Sequence, residues 1–252
     1  MPKVFPLRVA AEYALAAALL ASICFLLGRV AMRQADALAV PAASESGDAG
    51  TRTAPLLVLD PGHGGEDGGA AVGGALEKEL NLAVSLRVAD LCTLFGLPVR
   101  MTRTEDVLLY DYYHDLEDYR GKQKTYDLKN RVRMAEESGA AALLSIHMNQ
   151  FPQSSCRGLQ VYYSPNTGAS AELAERIRQS ARLRLDPDNR RETKEATDAI
   201  YLLKRIRIPA VLAECGFLSN PEERELLSSP DYQGRLSAAL FIPTAEFLTG
   251  GK

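Results

Sequence analysis

Three nearly continuous apolar runs, Leu56 to Leu59, Ala140 to Ile146 and Pro209 to Ala213, lack the alternation of a strand with one wet face. Such runs, short and bounded by turn residues, predict strands buried on both faces, the habit of a parallel sheet. Between them the period lengthens. Leu80, Val84, Val88 and Leu91, joined by Leu82 and Leu86, predict an amphipathic helix that starts at Glu77 and stops near Gly96. Further helices are predicted over 127–138, with Asp127 as N-cap and Gly139 as stop, over 169–185, after Asn220-Pro221, and over 231–248. Leu97 to Thr102, Gly158 to Ser164 and Ala199 to Leu203 read as shorter strands. Strands alternating with helices define an α/β domain, a mostly parallel central sheet with helices on both faces.

Two regions break this pattern. From Tyr13 to Leu27 every residue is apolar or small, with Lys3 and Arg8 before the run and Arg29 and Arg33 after it. That is the composition of a secretion signal or a signal anchor, at the short end for a span of roughly 20 residues. Ala37-Leu38-Ala39 resembles a cleavage site but stands well past the run, which favours an uncleaved anchor over a cleaved signal. Residues 34–54, rich in Ala, Ser, Gly and Thr, form a linker. The chain thus divides into a membrane anchor or signal segment (1–33), a linker (34–54) and a single catalytic domain (55–252), exported and held at the membrane by its N-terminal segment. The second irregular region, Arg103 to Thr125, is polar and tyrosine-rich, an excursion over one end of the sheet.

Composition narrows the function classes. With 252 residues, 46% of them hydrophobic, the chain can bury one sizeable core. A formal net charge of -3 supplies no basic face, so nucleic acid is excluded as a partner. Outside the apolar segment stand Cys92, Cys156 and Cys215, an odd number without CxxC spacing, which indicates neither a disulfide framework nor a thiolate zinc site. Cys215 reads as a small buried residue and not as a nucleophile.

The chemistry lies where the apolar runs stop. They lead into His63, His147 and Glu214, and in open α/β sheets ligands bind beyond the carboxyl ends of the strands. Two histidines and one carboxylate make the ligand set of a hydrolytic zinc site with one open position, and a further carboxylate is needed to move the proton of water. Glu77 joins the set if the glycine loop 64–74 folds over the same edge; Glu79 competes for that role. With Glu77 as a ligand, Glu214 is free for proton transfer. His114, with no strand before it, reads as solvent-exposed. The glycines from Gly62 to Gly69 fit neither dinucleotide nor P-loop spacing, which argues against a phosphate cradle.

Four motifs then carry a resemblance: Asp60-Pro61-Gly62-His63-Gly64-Gly65, Leu76-Glu77-Lys78 with Asn81-Leu82, Ser145-Ile146-His147-Met148-Asn149, and Leu212-Ala213-Glu214-Cys215-Gly216-Phe217-Leu218-Ser219-Asn220. In this order they resemble the zinc-dependent N-acetylmuramoyl-L-alanine amidases of the type 3 amidase family. The resemblance implies one Zn2+ held by His63, Glu77 and His147, with Glu214 as the catalytic glutamate. It implies hydrolysis of the amide between N-acetylmuramic acid and the L-alanine of peptidoglycan. Met101-Thr102-Arg103, the tyrosine-rich insertion leading to Asp127-Leu128-Lys129-Asn130-Arg131-Val132, and the apolar N-terminus are most similar to the spore-germination branch of the family, the CwlD type. That branch implies a role in cortex maturation through muramic-lactam formation, with a deacetylase in the same pathway. Asn149 is placed beside the metal or in a turn. Arg103 and Arg131 are placed at stem-peptide carboxylates or in surface ion pairs. Two other readings of the same residues are a membrane-tethered peptidoglycan-binding module without turnover and a zinc peptidase acting within the stem peptide.

Overall fold

The computed structural model describes residues 54–115 and 119–251. The apolar N-terminal segment, the linker up to residue 53 and part of the tyrosine-rich stretch lie outside the described residues. Among the described residues no helix is long and apolar enough to cross a membrane.

A six-stranded sheet forms the centre of the domain. In chain order the elements are β1 (Leu57–Pro61), β2 (Ala71–Val72), β3 (Ala75–Leu76), α1 (Glu77–Leu94), β4 (Val99–Met101), α2 (Gln123–Glu137), β5 (Ala142–Asn149), β6 (Gln160–Tyr163), α3 (Gly168–Arg184), β7 (Lys194–Glu195), α4 (Tyr201–Arg205), β8 (Ala210–Phe217), α5 (Pro221–Ser228) and α6 (Pro230–Thr249). The strand order is β4-β1-β5-β8-β6-β7. The first four are parallel, β6 runs antiparallel to β8, and β7 is parallel to β6. The expected mostly parallel sheet is present, with a reversed pair at one edge.

Side chains alternate across this sheet and explain the continuous apolar runs. Leu57, Leu59, Leu144, Ile146, Val211 and Ala213 pack with Val84 and Val88 of α1, Leu173 and Ile177 of α3, and Leu236 and Leu240 of α6. Val58, Leu143, Ala210 and Leu212 point the other way, toward Ala135 of α2 and Leu202 and Leu203 of α4. Helices therefore cover both faces, so both sets must be apolar. Only toward the strand C-termini does the second face turn polar. There Asp60 lies opposite Ser145, and His147 opposite Glu214.

Several expectations need correction. Ala199 to Leu203 does not form a strand. Leu202, Leu203 and Ile206 all enter one apolar cluster, a demand met by the helical turn α4 and not by alternation. Asp127 does not cap α2, which begins at Gln123 after Lys122; it lies in the second turn with its carboxylate committed to the Leu109 N–H at 2.7 Å and to Arg131 at 2.7 Å. His147 and Glu214 lie within β5 and β8 and not beyond them. The reversed direction of β6 and the short strand β7 carry no pattern that periodicity reports. Asn220 does cap α5, accepting the Glu223 N–H at 3.1 Å ahead of Pro221.

Candidate metal centre

The glycine-rich loop after β1 leaves the sheet at Pro61, forms the β2–β3 hairpin, and returns at Glu77. Closure is local: the Glu77 N–H donates to the Ala70 carbonyl (2.9 Å), and the Glu77 Oε2 accepts the Ala70 N–H (2.8 Å). The first residue of α1 is thereby placed beside His63. There the positive end of the helix dipole also favours a carboxylate.

Two glycines make room for this arrangement. A Cβ at Gly62 would overlap the imidazole of His147, and a Cβ at Gly69, whose φ is +65°, would overlap the Glu77 Oε2 and stand 2.8 Å from the His63 Cδ2. His63 itself adopts φ 61°, a left-handed conformation that costs a non-glycine residue on the order of 1–2 kcal/mol.

His63, Glu77 and His147 come together so that one ligand atom from each lies within 4.8 Å of the others. The Glu77 Oε1 is 3.2 Å from the His63 Nε2 and 3.0 Å from the His147 Nδ1. The two rings meet edge to face at a centroid distance of 5.0 Å. Asp67 accepts from the His63 Nδ1 at 2.8 Å, which puts the proton on that nitrogen and leaves the Nε2 lone pair toward the cluster. Two imidazoles and a buried carboxylate, with the second shell in place, are a donor set that fits zinc or a similar divalent metal.

Glu77 is 4% exposed and densely partnered. Besides the Ala70 N–H it accepts the Met148 N–H (3.1 Å) and the Asn81 amide (3.4 Å). Burial opposes its ionisation, but hydrogen bonds and charge from His147 and His63 outweigh burial and hold its carboxyl well below the usual range. Burial likewise opposes protonation of His63, and Glu77 and Asp67 outweigh it to raise its pKa.

Glu214 is different. It projects from β8 opposite His147, with its Oε2 shut off from solvent and without a hydrogen-bond partner. Burial raises its pKa; Glu77 adds to that, and His147 and His63 oppose it. It borders a cavity of about 210 Å³ between the metal cluster, Lys124 and Leu128 of α2, and Tyr201 and Leu202 of α4. Two larger hollows of about 490 Å³ each, one between α3 and α6 and one beside Arg157, contain none of these four residues.

Of the other residues singled out, Glu79 is exposed and outside the cluster, and His114 has a side chain 84% exposed. Cys215 is buried, and burial pushes its thiol far above the usual value, so it is no nucleophile. Asn149 ends β5 and its carbonyl accepts the Leu218 N–H at 2.8 Å.

Arg103 and Arg131 require correction. Both are buried, 3% and 1% exposed, so neither forms a surface pair; Arg131 borders the cavity beside Glu214, and Arg103 does not. Arg131 pairs with Asp60 and Asp127, each at 2.7 Å, while Asp60 also accepts from Thr102 and Ser145 at 2.7 Å. Burial disfavours the Asp60 charge, yet Arg131 and the two hydroxyls bring its pKa down to about 2. This network and Asp67 were missed from sequence. The Asp60-Pro61 step between an apolar run and the glycines was their visible trace.

Residues 57–241 match the family described as N-acetylmuramoyl-L-alanine amidase (Amidase_3). The chain belongs to that family. The amidase is 35% identical over 196 residues to the germination-specific N-acetylmuramoyl-L-alanine amidase of Bacillus subtilis, covering 77% of this chain and 80% of that one. Its fold is similar to that of the CwlD amidase from Clostridioides difficile, solved in complex with the GerS lipoprotein, with a TM-score of 0.71, 37% identity, and coverage of 78% and 99%. It is also similar to the amidase AmiC2 of Nostoc punctiforme, with a TM-score of 0.65, 31% identity, and coverage of 78% and 98%. The amidase therefore acts on peptidoglycan.

Proposed function

We propose that the amidase is a zinc enzyme that cuts between N-acetylmuramic acid and L-alanine in spore cortex peptidoglycan, ahead of muramic-lactam formation. The observation that carries the chemistry is the contrast between two glutamates around one histidine pair: Glu77 fully partnered and ionised, Glu214 unpartnered with a raised pKa. When bound, zinc supplies Lewis acidity toward the amide carbonyl and makes water a stronger acid.

The remaining steps belong to side chains of this chain. His63, Glu77 and His147 would hold the metal, and Asp67 fixes the His63 tautomer that allows it. Glu214 takes a proton from water and returns it to the departing alanine nitrogen. A carboxyl with a raised pKa is suited to hold a proton between those two transfers. The apolar wall of Leu128 and Leu202 limits water at the scissile amide. The cortex assignment is supported by similarity to the germination-specific relative. Attachment to the membrane through residues 1–33, a linker over 34–54 and export of the domain are part of the same proposal, as is a deacetylase acting on the same material.

The test is muropeptide release from purified cortex and from vegetative sacculi, with zinc measured in the same preparation. Mass spectrometry should find intact stem peptides with a free L-alanine amino terminus, released faster from cortex. Cleavage inside the peptide would make the protein a zinc peptidase. Full zinc occupancy with no release, and unchanged binding by Glu214→Ala, would make it a binding module.

A further inference from the structure

Three consecutive carbonyls, those of Pro61, Gly62 and His63, converge on two buried guanidiniums. Arg131 donates from Nη1 to the Pro61 carbonyl (2.8 Å) and from Nη2 to the His63 carbonyl (2.8 Å). Arg103 donates from Nε to the Pro61 carbonyl (2.9 Å) and from Nη2 to the Gly62 carbonyl (2.9 Å). We propose that Arg103 and Arg131 form a cationic clamp that sets the left-handed conformation of His63 and, through it, the affinity of the site for its metal. Both are positioning residues, and the inference rests on the metal reading given above.

Successive carbonyls in extended chain point in alternate directions, so three cannot converge unless a residue leaves the extended region. His63, at φ 61°, is that residue. A glycine would adopt this conformation without strain, but the position requires an imidazole, so the conformation must be imposed from outside. Charged donors are the strongest available for that purpose.

The two arginines contribute differently. Arg131 is neutralised by Asp60 and Asp127, whereas Arg103 donates to backbone carbonyls alone: Pro61, Gly62, Glu105 and Lys78. Burial and the neighbouring Arg131 charge bring the Arg103 pKa down to about 10, still cationic at neutral pH. The Lys78 carbonyl follows Glu77 in the first turn of α1. One guanidinium therefore ties the loop bearing His63 to the helix turn bearing Glu77. Its loss should loosen the spacing of two ligands while Glu214 and the cleft stay as they are.

The experiment measures zinc affinity by chelator competition in full-length Arg103→Met, Arg103→Lys and Arg133→Met. Arg133 is on the same helix as Arg131 but exposed, paired with Asp115 and Glu137 away from the loop. Arg103→Met is expected to keep its circular dichroism and bind zinc roughly 10–100-fold more weakly, the usual range for an outer-shell change. Arg103→Lys, able to serve some of the carbonyls, should fall between, and Arg133→Met should match wild type. At saturating zinc KM should be unchanged. A folded Arg103→Met with wild-type zinc affinity, or an equal loss in Arg133→Met, overturns the clamp. Should Arg103→Met not fold, amide exchange at Gly62 and His63 in the metal-free Lys variant decides: faster exchange than wild type supports the clamp, and an unchanged rate overturns it. A wild-type protein that takes up no zinc overturns the metal reading instead.

Discussion

Asp60 and Glu77 are buried carboxylates with every need met, while Glu214, on β8 across β5 from Asp60, has an oxygen with no partner at all. The first two are held ionised by fixed cations, hydroxyls and N–H groups. The third is pushed toward its neutral form by the same low-dielectric surroundings. Burial alone therefore does not assign a role. What separates a group that holds a cation from one that carries a proton is the number of donors the fold aims at it.

The comparison can be broken first at Glu77. Glu77→Gln removes the anionic member of the donor set; zinc should be lost on dialysis and hydrolysis with it, as metal analysis and muropeptide release would report. Retention of stoichiometric zinc would show that another group completes the site. The next largest effect is expected for Glu214→Gln, which should retain zinc but lower kcat by roughly 10²–10⁴-fold, the range for a missing acid–base group. The sign for stability is opposite. A carboxyl whose folded pKa is raised loses stabilisation as pH rises through that pKa, so at neutral pH Glu214 weakens the fold, and Glu214→Gln should unfold at a higher temperature than wild type.

Asp67→Asn sharpens the distinction by leaving all three ligands in place while weakening the acceptor that fixes the His63 tautomer, along with the Asp67 pairing to Lys124. Zinc affinity should fall roughly 10–100-fold, measured against a competing chelator. The smallest effect belongs to Asp60 as a pH dependence. Its pKa lies at about 2 against an ordinary 3.8, so its contribution is complete above pH 4 and disappears as pH falls through 2. Linkage puts that contribution at about 2 kcal/mol, visible as a steeper acid limb in urea titrations than Asp60→Asn would show.

Much of this was legible along the chain because its signals are local. Continuous apolar runs gave β1, β5 and β8, and their ends gave His63, His147 and Glu214. The glycine loop offered Glu77 and Glu79 alike; the resemblance to the amidase family chose Glu77, and the exposure of Glu79 agrees. What stayed hidden depends on contacts between distant segments. Arg131 looks like any helix arginine until Asp60, on another element, is brought to 2.7 Å. Leu202 and Leu203 occupy a run too short for its period to separate a strand from a helical turn. Asp127 has the residue type of a cap, and only the folded loop shows that Leu109 and Arg131 claim its oxygens first.

Gly62 and Gly69 bear on how natural copies of this domain should be sorted. Neither supplies a ligand atom, yet the volume of one methyl group at either position collides with a ligand side chain. A homologue that keeps His63, Glu77, His147 and Glu214 but has lost either glycine is therefore expected to be a pseudoenzyme that a check of its ligands alone would pass as active. The inventory of residues that certify an active amidase must include two that have no side chain.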